Sequence, residues 1–538
     1  MIRKTSGVKS RTVSIPTYTD GKEYIVSLKP GVDYAAFWTV IETNGSGSTY
    51  VPDRAVRIIN ERPGSKRSCH YVLTDAEAKL LESDVRVDSV VLPAKHLGFK
   101  PQPAAVRSGN FNKPEDDSSS NGNFINYGLV RHNSVTNNYG QVLTAPNGYT
   151  YTLDGSGVDV VIMDTGLEVD HPEFQNANGA SRVMEIDWYA EAGINGTMPN
   201  NFYTDVDGHG THVAGTAVGK TFGWAKNAAI YVMKLNDLSS DQTGIDTLEA
   251  FDLIINWHKN KESNRPTIVN MSWGYGGDYE VMDIIGGSYR GTSWSNTAVH
   301  PEYGMGEFGT FTARFPEVDS ILEEMIDAGI HVCIAAGNDG VKIDLPGGSD
   351  YNNYFINDAS GPYPSFSIFY NRGSSPYSTR AINVGCLDLN SYSSEFDKKA
   401  EFSEGGPGVD LYACGYAIYS ATSNTNTFAA EGYSDAAYYL DSDWRQGCIS
   451  GTSMASPQVC GLGALALQLN PDSKPEEFKS WLMNNVGPAV AIFSNAGNDY
   501  TDLNSLWGGS PKVLFNKFNS DTSLTIKTTE PEPFVGVC

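Results

Sequence analysis

The chain has 538 residues, 40% of them hydrophobic, enough for two or three domains with sizeable cores. A net charge of −25 and a pI near 4.7 argue against nucleic acid or an anionic membrane surface as partner. No run of about 18 apolar residues exists to span a bilayer, and the acidity reads as a solubility feature.

Residues 1–21 form an N-terminal extension. Its first part, Met1 to Arg11, is positively charged but lacks an apolar stretch, so it does not read as a secretory signal. The compartment stays open between intracellular, virus-borne and unconventionally exported. The seven cysteines are an odd number without CxxC or Cys/His zinc spacing. Cys333 and Cys460 lie in apolar runs and read as buried thiols, and Cys448 is expected to be free. Nothing in this pattern demands an oxidising compartment.

Residues 22–93 read as a small α+β unit. Strands are expected at Glu23–Leu28, Ala55–Asn60, Cys69–Leu73 and Val85–Leu92, with a helix over Asp33–Thr43. Thr74-Asp75-Ala76-Glu77 is a capping box that opens a further helix through Leu81. The order βαββαβ is that of a ferredoxin-like domain. Residues 94–123, rich in Ser, Asn, Gly, Pro and Asp, have linker composition.

The large unit begins at Phe124. Val158–Met163 is a short apolar run suited to a buried parallel strand, and it ends in Asp164-Thr165-Gly166. A carboxylate is thereby set at the carboxyl end of a strand, where open α/β sheets carry their sites. His171 reads as a structural turn residue, and Asp205 and Asp207 as solvated loop carboxylates. The run Asp207-Gly208-His209-Gly210-Thr211-His212 leads into a helix of small residues. His209 is placed to act as a base, while His212, one turn on, is expected to pack. The strand Thr267-Ile268-Val269 feeds Asn270-Met271-Ser272-Trp273-Gly274. The apolar run Ile330–Ala336, with His331 as a core residue, ends in Gly337-Asn338, an amide able to donate to an oxyanion.

Cys448 to Pro457 contains Gly451-Thr452-Ser453 and opens a helix that is apolar nearly throughout. Such a turn holds the Ser453 hydroxyl at a helix N-terminus, where backbone N–H groups and the helix dipole favour developing negative charge. Three long segments, Gly276–Pro316, Asp339–Thr379 and Ser423–Gln446, read as insertions. The first two are expected beside the cleft, where either could restrict access. A helix is expected at Pro475–Val486, and residues 519–538 form a loose tail.

Asp164, His209 and Ser453, in that chain order and joined by Asn338, resemble the subtilisin-like serine proteases, the subtilases, over residues 124–518. The uninterrupted run Ala217–Lys226 after the histidine is similar to the proteinase K branch, which implies that the calcium loop of subtilisin is absent. Scattered Asp and Asn residues leave a structural calcium open, yet no ordered ligand spacing indicates one. No metal residue and no required cofactor are therefore expected.

The resemblance implies an α/β, three-layer, parallel-sheet domain behind a ferredoxin-like prodomain. The implied activity is a serine endopeptidase acting on polypeptides through an acyl-enzyme, with apolar or aromatic residues preferred at the first subsite. It would be made as a zymogen that cuts itself between Pro93 and Asn123, with residues 22–93 as an intramolecular inhibitor-type propeptide. Asp164, His209 and Ser453 become the triad, and Asn338 with the Ser453 N–H the oxyanion donors. Ser272, Trp273 and Gly274 become the substrate-binding edge, and Ala335, Ala336 and Gly337 the wall of the first pocket. Trp273, where leucine is usual, is expected either to narrow a remote subsite or to pack under a loop. Two rivals keep the same fold: a catalytically silent structural or assembly protein, and a peptide ligase using the same triad.

Overall fold

The computed structural model describes residues 17–42, 50–51, 54–60, 66–93, 101–103, 126–133, 151, 153–279, 284–295, 303–306, 308–357, 366–388, 397–485 and 502–519. At its centre is a six-stranded sheet in the order Leu411–Cys414, Ile382–Leu387, His331–Ala335, Thr267–Met271, Asp159–Asp164, Ala229–Lys234. Every neighbouring pair is parallel. The run Asp159–Asp164 is buried at every residue, with Val160 to Met163 at 0% exposure. A strand covered on both faces has to be apolar throughout, which is why the sequence shows a continuous run there and no alternation.

The strand order reverses between Asp159–Asp164 and Thr267–Met271. From the first strand the chain steps to Ala229–Lys234 on one side, then crosses back and continues outward on the other. A crevice opens at the carboxyl ends of strands flanking such a reversal, and Asp164 and Ser272 stand at those two ends. The helices His209–Val218 and Thr452–Leu469 pack on this sheet. Every residue from Thr452 to Leu467 is buried, as the near-absence of charge in that segment requires.

The N-terminal unit has the expected elements. Gly21–Leu28 pairs antiparallel with Ser68–Leu73 and Val87–Val91, and Arg57–Asn60 pairs with Ser68–Leu73. Helices Tyr34–Glu42 and Asp75–Glu82 complete it. The capping box is formed on both sides: Thr74 Oγ1 accepts from Glu77 N at 3.2 Å, and Glu77 Oε2 accepts from Thr74 N at 2.7 Å. Val26, Leu28, Phe37, Tyr71 and Leu81 make a core separate from that of the large unit. The unit meets the helix Pro316–Asp327, where Arg67 N donates to Glu324 Oε1 at 3.4 Å.

The long segments are not loose connections. Ile284–Tyr289 from the first pairs with Tyr354–Asn357 from the second, and Thr292–Trp294 and Ser367–Ile368 complete one antiparallel four-stranded sheet. Arg290 is ion-paired to the buried Asp350 at 2.7 Å, and Lys342 reaches the same carboxylate at 2.9 Å. Period-two patterning is weak in these short, Gly- and Tyr-rich strands, so a pairing that joins Ser288 to Tyr354 and Ile284 to Asn357 was not legible. The third segment holds the hairpin Ser434–Tyr438 and Asp441–Ile449, whose second strand runs straight into the turn before Ser453. Residues 520–538 lie outside the described residues, as does all of 94–123 except Pro101–Pro103. The six described cysteines are all buried. No helix among the described residues is long and apolar enough to cross a membrane.

Candidate active site

Asp164 ends its strand fully buried. Its Oδ1 accepts from His209 Nδ1 at 2.7 Å and from the Thr165 amide at 2.8 Å. A carboxylate only accepts, so Nδ1 carries the ring proton and Nε2 keeps its lone pair. Nε2 is buried without a hydrogen-bond partner. Burial opposes charging of His209. The Asp164 charge and hydrogen bond, with Asp205 and Asp207 behind them, overcome that penalty and raise its pKa above the ordinary 6.5.

The turn holding His209 is built by Asp205, which is 2% exposed and therefore not the solvated carboxylate expected from its loop position. It accepts from the amides of Asp207, Gly208 and Thr211 and from the hydroxyls of Thr165 and Thr211, at 2.6–3.2 Å. An acceptor aimed at consecutive amides replaces the missing partners of a helix start. Asp207 is half-buried and accepts from the Ser240 amide at 3.1 Å, so it too is structured. Thr165 ties the aspartate loop to the histidine turn, its Oγ1 accepting from Gly210 N at 2.8 Å. A Cβ at Gly210 would lie 2.2 Å from the Gly166 carbonyl oxygen, so this approach needs glycine. Neither Asp205 nor Thr165 was singled out for this role, although a carboxylate four residues before the histidine in a Gly-rich run was the available signal.

His212 and His331 pack, as expected. Burial pushes both down to about 3, with His212 Nε2 bonded to the Ile418 carbonyl at 2.9 Å and His331 edge-on to Phe478. His171 holds its turn by accepting from Glu173 N.

Ser453 is the second residue of its helix and has no exposed surface. Its hydroxyl donates to the Ser272 carbonyl at 3.0 Å, and no hydrogen bond joins it to His209. Its own carbonyl accepts from Ser272 Oγ at 2.9 Å. Pro457, four residues on, explains this second bond: it has no N–H to give that carbonyl in the usual helical ladder. Asn270 Nδ2 in turn supports Ser272 Oγ at 2.8 Å, and Ser456 Oγ donates to Asn270 Oδ1 at 2.8 Å.

Asn338 is buried at the end of the His331–Ala335 strand. Its Oδ1 accepts from Thr452 N at 2.8 Å and Thr452 Oγ1 at 2.9 Å, which fixes the amide with Nδ2 on the other side. The Cβ position that Gly451 lacks lies 3.3 Å from Asn338 Nδ2 and 3.6 Å from Ser453 N. Two donors thus converge on a point that any other residue at 451 would fill. Behind them Glu404, fully buried, accepts from Val341 N at 2.7 Å and Asp339 N at 3.3 Å, and burial holds its carboxyl well above the ordinary range.

Ala335 and Ala336 are buried, with Gly337 next to Asn338. The Trp273 side chain does not narrow a subsite. It is 0% exposed, donates Nε1 to the Met163 carbonyl at 2.8 Å and packs on Phe251 and Tyr275. Its backbone begins the strand Trp273–Asp278, whose near end carries an added antiparallel strand, Pro101–Pro103. Among the described residues no group of three or more His, Cys, Asp or Glu side chains is arranged to hold a metal ion.

With a parallel sheet, a carboxylate–imidazole pair at its switch point and a serine at a helix N-terminus, residues 155–510 match the Subtilase family, and the chain belongs to that family. It is 28% identical over 351 residues to an extracellular serine proteinase of Thermus sp. (strain Rt41A), covering 65% of this chain and 59% of the relative. It is 27% identical over 394 residues to the subtilisin-like serine protease Cur l 4.0101 of Cochliobolus lunatus, covering 69% and 60%. The chain thus spans less than two thirds of the length of these relatives. Among solved structures, fervidolysin from Fervidobacterium pennivorans, described as a keratinolytic enzyme related to subtilisin, superposes with a TM-score of 0.49 at 18% identity. That match covers 92% of this chain and 60% of the other.

Proposed function

We propose that this chain is a serine endopeptidase of the proteinase K branch, made as a self-processing zymogen. The observation that carries the reading is the 2.7 Å bond from His209 Nδ1 to Asp164, which leaves a neutral, hydrogen-bond-free Nε2 in the same site as Ser453. In the reaction, Ser453 Oγ attacks the carbonyl carbon of an extended peptide and Nε2 takes the hydroxyl proton. Asp164 holds the ring and offsets the imidazolium charge. Asn338 Nδ2 and Ser453 N–H stabilise the oxyanion. The C–N bond breaks as His209 returns its proton to the leaving amine, and water, deprotonated by His209, then hydrolyses the acyl-enzyme. No step calls on a cofactor.

The described arrangement is the latent form. The nucleophile has 0% exposure and is hydrogen-bonded to Ser272 in place of His209, so attack on an outside peptide requires a rearrangement at the site. Residues 22–93 act as the inhibitor-type propeptide: they form a separate small fold, rest on the helix Pro316–Asp327, and lead into the strand on the Trp273 edge.

The test is labelling with a serine-directed phosphonate, followed by digestion and mass spectrometry, alongside hydrolysis of an unfolded protein. Label on Ser453, lost together with hydrolysis in Ser453→Ala, is the expected result. Absence of both in the wild-type protein would put the silent structural reading ahead. Product analysis with an added amine separates hydrolysis from peptide ligation.

A further inference from the structure

The strand Trp273–Asp278 runs on past the edge expected at Ser272–Gly274, and both long insertions hold it there. Its last three residues pair antiparallel with Thr310–Thr312 of the first insertion. Ala313 N donates to the Tyr275 carbonyl at 2.9 Å and Tyr279 N to the Gly309 carbonyl at 2.7 Å. Tyr275 N donates to the Ser375 carbonyl of the second insertion at 3.2 Å. Two glycines permit this close backing: a Cβ at Gly274 would lie 2.3 Å from Ser374 Oγ, and one at Gly276 2.5 Å from the Phe311 carbonyl oxygen.

Alternation then defines the opposite edge. In an antiparallel ladder the N–H and C=O of one residue point to one side, and those of the next residue to the other. The backbone groups of Tyr275 go to the insertions, so those of Gly274, Gly276 and Asp278 face away from them. An extended backbone fits this face, since Gln102 lies on it opposite Gly274. Gly276 and Asp278 continue the same phase without a register shift. Among the described residues no strand pairs with either of them on that side. Side chains alternate as well: Trp273 and Tyr275 turn into the core, while Asp278 is exposed on the outer face.

Ser272 sets the count along this edge. Its carbonyl holds the Ser453 hydroxyl at 3.0 Å, so a peptide residue paired with Ser272 brings its own carbonyl to the nucleophile. With that residue as the first, the third pairs with Gly274, the fifth with Gly276 and the seventh with Asp278. We propose that the insertions lengthen the substrate edge, so that the enzyme engages an extended polypeptide out to the seventh residue before the scissile bond and prefers a basic side chain there, an inference that rests on the protease reading above. The fifth residue exchanges two backbone hydrogen bonds with Gly276, which is strand addition continued past the usual edge. Directly opposed side chains of an antiparallel pair share a face, so a Lys or Arg at the seventh residue lies beside the Asp278 carboxylate. The substrate class is accordingly long, unfolded polypeptide, with short peptides turned over poorly.

The experiment measures kcat/KM of the purified full chain on peptidyl aminomethylcoumarins of four, six and eight residues, whose fluorescent leaving group fixes the register. Going from four to eight residues is expected to raise kcat/KM by about threefold or more, the worth of one added backbone pair. Methylating the fifth residue's nitrogen, which removes the donor to the Gly276 carbonyl, should abolish that gain. Methylating the sixth, whose N–H turns away from this edge, should leave it. Lys at the seventh residue should be favoured over Glu by about two- to fivefold at low salt, and Asp278→Lys should reverse the preference while tetrapeptide turnover stays unchanged. A Ser453 that takes the phosphonate label, with the octapeptide no faster than the tetrapeptide, overturns the lengthened edge and leaves the protease reading intact. Equal effects of methylation at the fifth and sixth residues, or a charge preference indifferent to residue 278, overturn it likewise. An unlabelled enzyme that hydrolyses none of the peptides overturns both.

Discussion

Ser272 and Ser453 exchange hydrogen bonds: each hydroxyl donates to the other's carbonyl, at 2.9 and 3.0 Å. One residue begins the peptide-binding edge and the other is the proposed nucleophile, so the pair sets the spacing between bound peptide and attacking oxygen. The bond from Ser272 Oγ is needed because Pro457 leaves the Ser453 carbonyl without its helical donor.

Replacing Ser272 by alanine is therefore expected to strand a buried carbonyl. The cost is about 1–3 kcal/mol of stability, the penalty for an unsatisfied buried polar group. Urea unfolding of Ser272→Ala and Ser272→Thr, both in the Ser453→Ala background to prevent self-digestion, measures it. Threonine keeps the hydroxyl and should recover most of the loss. Equal stability of alanine and wild-type residue would show that this carbonyl finds another donor.

Most of this site was legible because its parts are local. Asp164 closes an apolar run, and a Gly-led turn precedes Ser453. Asn338 stands one residue past a glycine at a strand end. What escaped reading depends on partners far away in sequence. Asp205 looked solvated because a loop aspartate usually is, and its burial follows from the Thr165 loop folding over it. Trp273 was ambiguous because its side chain turns inward to Met163, 110 residues away, while its backbone alone serves the edge. The pairing of the two long segments was hidden by the same non-local character. The strand Pro101–Pro103 lies in a stretch whose composition says only linker, and its register becomes readable once Gly274 is seen opposite Gln102.

Gly451 is expected to matter for chemistry more than for folding. Its φ is 165°, extended backbone open to any residue, and an added methyl would meet Asn338 Nδ2 at 3.3 Å and Ser453 N at 3.6 Å. Those are contacts that a small shift accommodates, but they occupy the space between the two oxyanion donors. Gly451→Ala should thus keep the thermal midpoint within a few degrees while lowering kcat by about 10²–10³, the loss typical of one missing oxyanion donor. Asn338→Ala should lose a similar factor, and the double variant little more than either alone, since one substitution blocks and the other strips the same oxyanion site. Losses that multiply in the double variant would mean that the two positions act separately.

The His209–Asp164 pair gives a pH dependence of opposite sign for activity and stability. Activity requires the neutral ring. Because the pKa of His209 is raised, the acid limb of kcat/KM should fall at a pH above 6.5. Stability runs the other way. A histidine whose folded pKa exceeds its unfolded value contributes fully below pH 6.5, and that contribution fades as pH rises through the folded value. Asp164→Asn removes the largest of the charges that offset burial and leaves those of Asp205 and Asp207, so the limb should move to lower pH. The loss in kcat should be about 10⁴-fold, the size associated with losing this carboxylate from such a triad. Titrating His209 by NMR in the Ser453→Ala background of both forms reads the shift without autolysis. If the histidine titrates at the same pH with and without the Asp164 charge, the 2.7 Å contact does not set its protonation, and the electrostatic account of the base fails.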